Sequence, residues 1–121
     1  MNDFENNSTN QEGGQEDFEK MLEIEGDLNP ALLKKNGYIS FVISENFNVF
    51  VSVGKFHYEI KKNYGVDKPF VEGVFNISNR DFLVYDNSGF DSGFFKSGTE
   101  RWRFREAVRK KIKDYLSQYD I

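Results

Sequence analysis

The sequence predicts an α+β fold, an antiparallel β-meander of about five strands with one C-terminal amphipathic helix packed on the sheet and a short N-terminal helix. Three observations predict it. Between Tyr38 and Tyr85, apolar residues recur at every second position in short runs separated by turn formers, the period of strands with two different faces. From Ser97 to about Ser117 the spacing changes to three and four, the period of a helix with one apolar stripe. The links between the expected strands are too short to carry a crossover, so neighbouring strands are expected to run antiparallel.

With 121 residues, 38% of them apolar and 30% charged, the chain has the size and composition of one globular domain. Charge is distributed unevenly. Residues 1–30 carry nine acidic side chains and one basic one, whereas residues 31–121 carry eleven acidic and fifteen basic ones. Between Lys96 and Lys113 eight cations face only Glu100 and Glu106. The polar, acidic residues 1–16 offer too little apolar surface to offset the entropy of ordering, which predicts a disordered acidic tail before a single globular domain over 17–121. No apolar run approaches the length of a membrane span, and the first thirty residues lack the basic start and apolar core of a signal peptide. A cytoplasmic protein without membrane contact is expected. Cysteine is absent, so neither a disulfide nor a thiolate nucleophile or ligand is available. The wealth of Asn, Lys, Phe, Tyr, Ile and Asp suits AT-rich codons, as in a low-GC bacterium, a phage or a mobile element.

Taken in order, Asp17 to Glu25 contains Phe18, Met21, Leu22 and Ile24, enough for a short amphipathic turn. Asn29, Pro30 and Gly37 stand where a cap, a first helical residue and a stop belong, which predicts a two-turn helix between them. Ile39, Phe41 and Ile43 alternate in a first strand, and Phe47, Val49, Val51 and Val53 in a second. Gly54 and Lys55 suggest a tight hairpin into a third strand at Phe56, Tyr58 and Ile60, with His57, Glu59 and Lys61 on its wet side. Phe70 to Ile77 and Phe82 to Tyr85 supply the fourth and fifth. The loop from Asp86 to Gly98 is rich in glycine yet contains Phe90, Phe94 and Phe95, so it is expected to pack or to function. Ser97 and Glu100 form a capping-box pattern that opens the last helix, whose apolar arc comprises Phe104, Val108, Ile112 and Tyr115, with Ala107 and Leu116 at its margins.

The residues offer little to catalysis, and no catalytic residue, metal or cofactor is expected. His57, the single histidine, is read as an exposed imidazole, and one histidine without cysteine makes a poor zinc site. Asp81, Asp86 and Asp91 match no calcium-loop spacing and are read as solvated turn residues. Gly89, Gly93 and Gly98 lack the Lys-Ser or Lys-Thr pair of a phosphate-cradling loop.

One constellation does point to a partner. Trp102, Glu106, Arg109 and Lys113 line the helix face opposite the apolar arc, flanked by Arg103 and Lys110, with Arg101, Arg105 and Lys96 widening the patch. Cations that neutralise phosphates beside a flat ring on which a base stacks are the ingredients of single-strand nucleic-acid binding. The competing reading folds Trp102 back onto the Phe90, Phe94 and Phe95 loop. Tyr38, Phe50, Tyr58 and Tyr85 are a second candidate stacking platform, although such strand aromatics commonly belong to cores. The expectation is a non-catalytic accessory protein that binds single-stranded DNA or RNA. The alternative is a protein-interaction module or inhibitor of a host protein, since a basic amphipathic helix also suits an acidic protein.

Overall fold

A computed structural model describes residues 18–90 and 93–119. The expected tail over 1–16 and the side chain of Asp91 lie outside them. The elements are β1 (Glu23–Asp27), α1 (Pro30–Asn36), β2 (Tyr38–Ile43), β3 (Asn48–Ser52), α2 (His57–Tyr64), β4 (Val71–Asn76), β5 (Asp81–Asp86) and α3 (Gly98–Ser117). The fold is α+β, with a five-stranded sheet ordered β1-β3-β2-β4-β5. Three pairings are antiparallel, but β1 runs parallel to β3. The sheet is therefore mixed, and the plain meander expected from the sequence is corrected.

Two segments account for the difference. Residues 56–60 do not form a third strand. The alternation of Phe56, Tyr58 and Ile60 is shared by a short helix in which only Ile60 is buried. The Glu59 carboxylate accepts the Phe56 N–H at 2.9 Å, and Gly65 stops the helix at φ 68°. Because α2 carries the chain across the sheet, β4 settles beside β2 rather than beside β3. The remaining strand comes from residues that looked like an amphipathic turn. A helical turn at 18–21 gives way to β1, paired from Glu23 opposite Asn48 to Asp27 opposite Ser52. Its acid-rich sequence is typical of an edge strand.

The other elements follow their local chemistry. The Asn29 side chain accepts from the Ala31 and Leu32 amides, and Pro30 occupies the start of α1. Ser97 Oγ accepts from the Glu100 amide at 3.1 Å to begin α3, whereas the Glu100 carboxylate reaches the Lys96 amide at 3.4 Å. The β2–β3 turn holds Phe47 at φ 64°, a left-handed conformation costing about 1–2 kcal/mol for a residue with a side chain. Its ring is held between Phe70 at 5.7 Å and Phe104 at 5.9 Å, contacts that offset this cost.

Both faces of the sheet are packed. On the first, Ile39, Phe41, Ile43, Val49, Val51, Val71 and Phe75 meet Phe104, Ala107, Val108, Ile112 and Leu116 of α3. On the second, Val42 and Phe50 meet Ile60 and Val66, with the Tyr64 ring stacked 4.2 Å above Phe50. A methyl group at Gly73 would collide with the Val84 carbonyl oxygen and stand 2.5 Å from the Phe41 ring, so glycine allows β5 and Phe41 to approach β4. A register shift between Val74 and Phe75 leaves Leu83 bulged out of the β4–β5 ladder. Among the described residues no helix is long and apolar enough to cross a membrane.

Candidate nucleic-acid interface

The glycine-rich loop before α3 is packed, as one of its two expected readings requires. Phe90, Phe95 and Phe18 each place a ring within 5.5 Å of the Phe104 ring, two of them edge-on. Phe104, not Trp102, thus closes the loop. Because Trp102 precedes Phe104 by two residues, its indole is turned roughly 160° around the helix axis from that ring. It is 57% exposed.

The indole borders a shallow groove of about 310 Å³ that it shares with Tyr85, Asn87, Gly98, Arg101 and Arg105. A second groove of about 220 Å³, further along α3, is lined by Glu106, Arg109, Lys110, Lys113 and Asp114. The structure therefore places Arg101, Trp102 and Arg105 in one group and Arg109, Lys110 and Lys113 in another. Lys96 and Arg103 border neither.

Several of these cations already have partners. Arg105 lies 3.1 Å from Glu106 and 3.7 Å from Asp81, with its guanidinium over the Phe82 and Tyr85 rings at 4.9 and 5.6 Å. Arg109 meets Glu106 at 3.2 Å and donates to the Arg80 carbonyl at 3.1 Å. Lys110 bridges Glu19 at 3.4 Å and Asp114 at 3.2 Å, and these carboxylates raise its pKa, the Asp114 hydrogen bond most of all. Arg101 stands 5.2 Å over the Phe95 ring without a carboxylate partner among the described residues. Lys96, Arg103 and Lys113 likewise form no ion pair among the described residues. Exposed pairs such as Lys110 with Asp114 contribute roughly 0–1 kcal/mol and exchange cheaply, whereas Glu106, with 17% of its side chain exposed, holds Arg105 and Arg109 more firmly.

The floor of the first groove holds an unusual group. The Tyr85 hydroxyl is closed off from solvent and meets no hydrogen-bond partner among the described residues. Burial raises its pKa far above the ordinary phenol value, outweighing the opposite pull of Arg105 and Arg101.

The other candidates separate. Tyr38 and Tyr58 are exposed, Phe50 is buried beneath Tyr64, and Tyr85 belongs to the α3 side of β5, so these four do not form one platform. Tyr38 instead borders a groove of about 450 Å³ with Asn36, Ser40, Gly54, Lys55 and Phe56. Phe56, stacked on Tyr58 with centroids 5.9 Å apart, was hidden in the sequence by its place in an apparent strand. His57 is not a solvated strand residue. It opens α2, and its Nε2 donates to the Gly73 carbonyl at 2.7 Å, tying that helix to β4. Asp81 and Asp86 occupy opposite ends of β5 and do not converge. Hydrogen bonds from Ser88, chiefly from its backbone amide, lower the Asp86 pKa. Among the described residues no group of His, Asp or Glu is placed to hold a metal ion.

Comparison with protein families, with curated proteins and with solved structures finds no match to this chain.

Proposed function

We propose that the protein binds single-stranded nucleic acid along the outer face of α3, with the Trp102 indole stacking on a base and Arg101, Arg103, Lys113 and Lys96 meeting phosphates. The observation that supports this reading is the exposure of the chain's one tryptophan in the same groove as two guanidinium groups. Base–aromatic stacking contributes about 1–3 kcal/mol per base and tolerates any sequence. The test is fluorescence polarisation with a labelled oligothymidylate and its RNA counterpart. If four cations each meet one phosphate, affinity falls roughly 50-fold between about 50 and about 200 mM salt. Trp102→Ala weakens binding by about 5- to 150-fold and Trp102→Phe by much less. Lys62→Gln, on α2 across the sheet, leaves it unchanged. Undetectable binding at micromolar protein in low salt refutes the reading.

A second reading, a protein-interaction module, is supported by a different surface. Leu83 and Val84 on the outermost strand are 60% and 48% exposed, an apolar edge of the kind that an extended partner segment covers. Loss of partner capture on Leu83→Lys, with oligonucleotide affinity unchanged, supports it.

A further inference from the structure

The chain reaches the sheet along the basic helix itself. The Glu19 carboxylate pairs with Lys110 at 3.4 Å, and the Glu19 carbonyl accepts from Lys111 Nζ at 3.4 Å. One residue earlier, the Phe18 ring sits against Phe104 at 5.4 Å and Phe95 at 6.2 Å. Moving back along the chain therefore moves the contacts toward the N-terminus of α3, where the side chains of Arg101, Arg103 and Lys96 form no ion pair among the described residues. The seventeen residues before Phe18 contain Asp3, Glu5, Glu12, Glu16 and Asp17 and no cation. Fully extended they reach at most about 60 Å, against about 30 Å for the length of α3. A charged segment tethered this closely acts at an effective concentration on the order of millimolar.

From this course and this complementarity we infer that the acidic segment 1–17 docks on the Lys96, Arg101 and Arg103 end of α3 and is the first occupant that a polyanion must displace. Glu16 and Asp17 are the nearest carboxylates in sequence and meet Arg103 first. The more distant Asp3, Glu5 and Glu12 act as counter-charges, screened by salt within about 10 Å at 0.1 M. The competition rests on the reading of α3 as a nucleic-acid surface, whereas the docking does not.

The absence of cysteine makes the test direct, because Ser8→Cys creates a unique site for a nitroxide in the full-length chain. At low salt, docking broadens the amide signals of the Lys96 to Glu106 stretch selectively. The broadening disappears at high salt and when Asp3, Glu5, Glu12, Glu16 and Asp17 are all changed to Asn or Gln. Broadening spread evenly over the domain, or unaffected by the five changes, overturns the docking. Oligothymidylate affinity is then compared between the native chain and the neutralised full-length chain. Competition gives about fivefold tighter binding for the neutralised chain at low salt and equal binding at high salt. Measurable but equal affinities at low salt overturn the competition. If neither chain binds, the reading of α3 has failed, and the nitroxide pattern alone decides the docking.

Discussion

Replacing Tyr85 with phenylalanine should stabilise the protein, although it removes a polar group. The Tyr85 hydroxyl is closed to solvent without a hydrogen-bond partner among the described residues, while its ring packs 4.8 Å from Phe82 and beneath Arg105. Leaving such a group buried and unpaired costs about 1–3 kcal/mol, whereas the phenyl ring retains the packing and most of the cation–π contact. The lower end of that range is appropriate because an exposed groove lies beside the ring. We therefore expect Tyr85→Phe to gain about 1 kcal/mol, raising Tm by about 4 °C. Urea denaturation at pH 7 with an unchanged m value measures it.

The alkaline limb gives an independent reading of the same group. Burial raises the Tyr85 pKa, and burial, followed by the Tyr119 hydrogen bond, pushes Tyr115 up to about 12. Below the unfolded value of about 10 both phenols are neutral in both states, and their contribution is fully present. As pH rises above 10, the unfolded chain releases protons that the folded chain retains, so stability falls until the folded values are passed. For Tyr85 the loss between pH 10 and 11 is about 1 kcal/mol, and Tyr85→Phe should abolish it while the Tyr115 share remains. A variant that is less stable at pH 7 by 1 kcal/mol or more would falsify the picture, because it would mean that the hydroxyl has a partner.

Two further substitutions probe the fold beneath the site. Phe104→Ala removes the ring shared by Phe18, Phe47, Phe90 and Phe95 and should cost about 3–5 kcal/mol, read as the shift in denaturation midpoint; a cost below 1 kcal/mol means that the aromatic loop packs without it. Gly73→Ala forces a methyl group against the Val84 carbonyl and the Phe41 ring and should cost about 1–3 kcal/mol. Hydrogen exchange should locate the loss at the β4–β5 ladder, and unchanged protection there contradicts the close approach.

The sequence was readable where one physical signal acted alone. Asn29, Pro30 and Gly37 act through local hydrogen bonds and backbone angles, and α1 occupies the interval between them. The periodic apolar arc likewise determined which side of α3 is buried, apart from Tyr115, which is only partly so. Residues 56–60 carried two signals, because a residue pair such as Phe56 and Tyr58 satisfies a period of two over so short a span while Glu59 and Gly65 mark a helix. The parallel β1–β3 pairing had no local signal at all. Its register depends on residues twenty-five positions apart, and its acid-rich strand offers only Ile24 to the core. At the candidate site, the position of Trp102 on the outer face followed from helix phase. The ion pairs of Arg105 with Asp81 and of Lys110 with Glu19 did not, because they depend on where β5 and the N-terminal turn pack.

The exposure of Trp102 separates stability from binding in a way few residues allow. A fully buried tryptophan contributes on the order of 200 Å² of apolar surface, so an indole left more than half outside forgoes roughly 3 kcal/mol of burial. The covered part of the ring contributes roughly 2 kcal/mol at most by the same measure, and the main task of holding α3 on the sheet falls to Phe104, Val108, Ile112 and Leu116. Trp102→Ala should accordingly shift the denaturation midpoint by the equivalent of about 2 kcal/mol at most, less than the loss of about 3–5 kcal/mol expected of Phe104→Ala. A substitution that weakens an oligonucleotide complex strongly while leaving the fold nearly unchanged identifies a contact rather than a scaffold. If instead the variant loses several kcal/mol of stability, the indole belongs to the packed side of the helix, and the argument from its position to a stacked base has no footing.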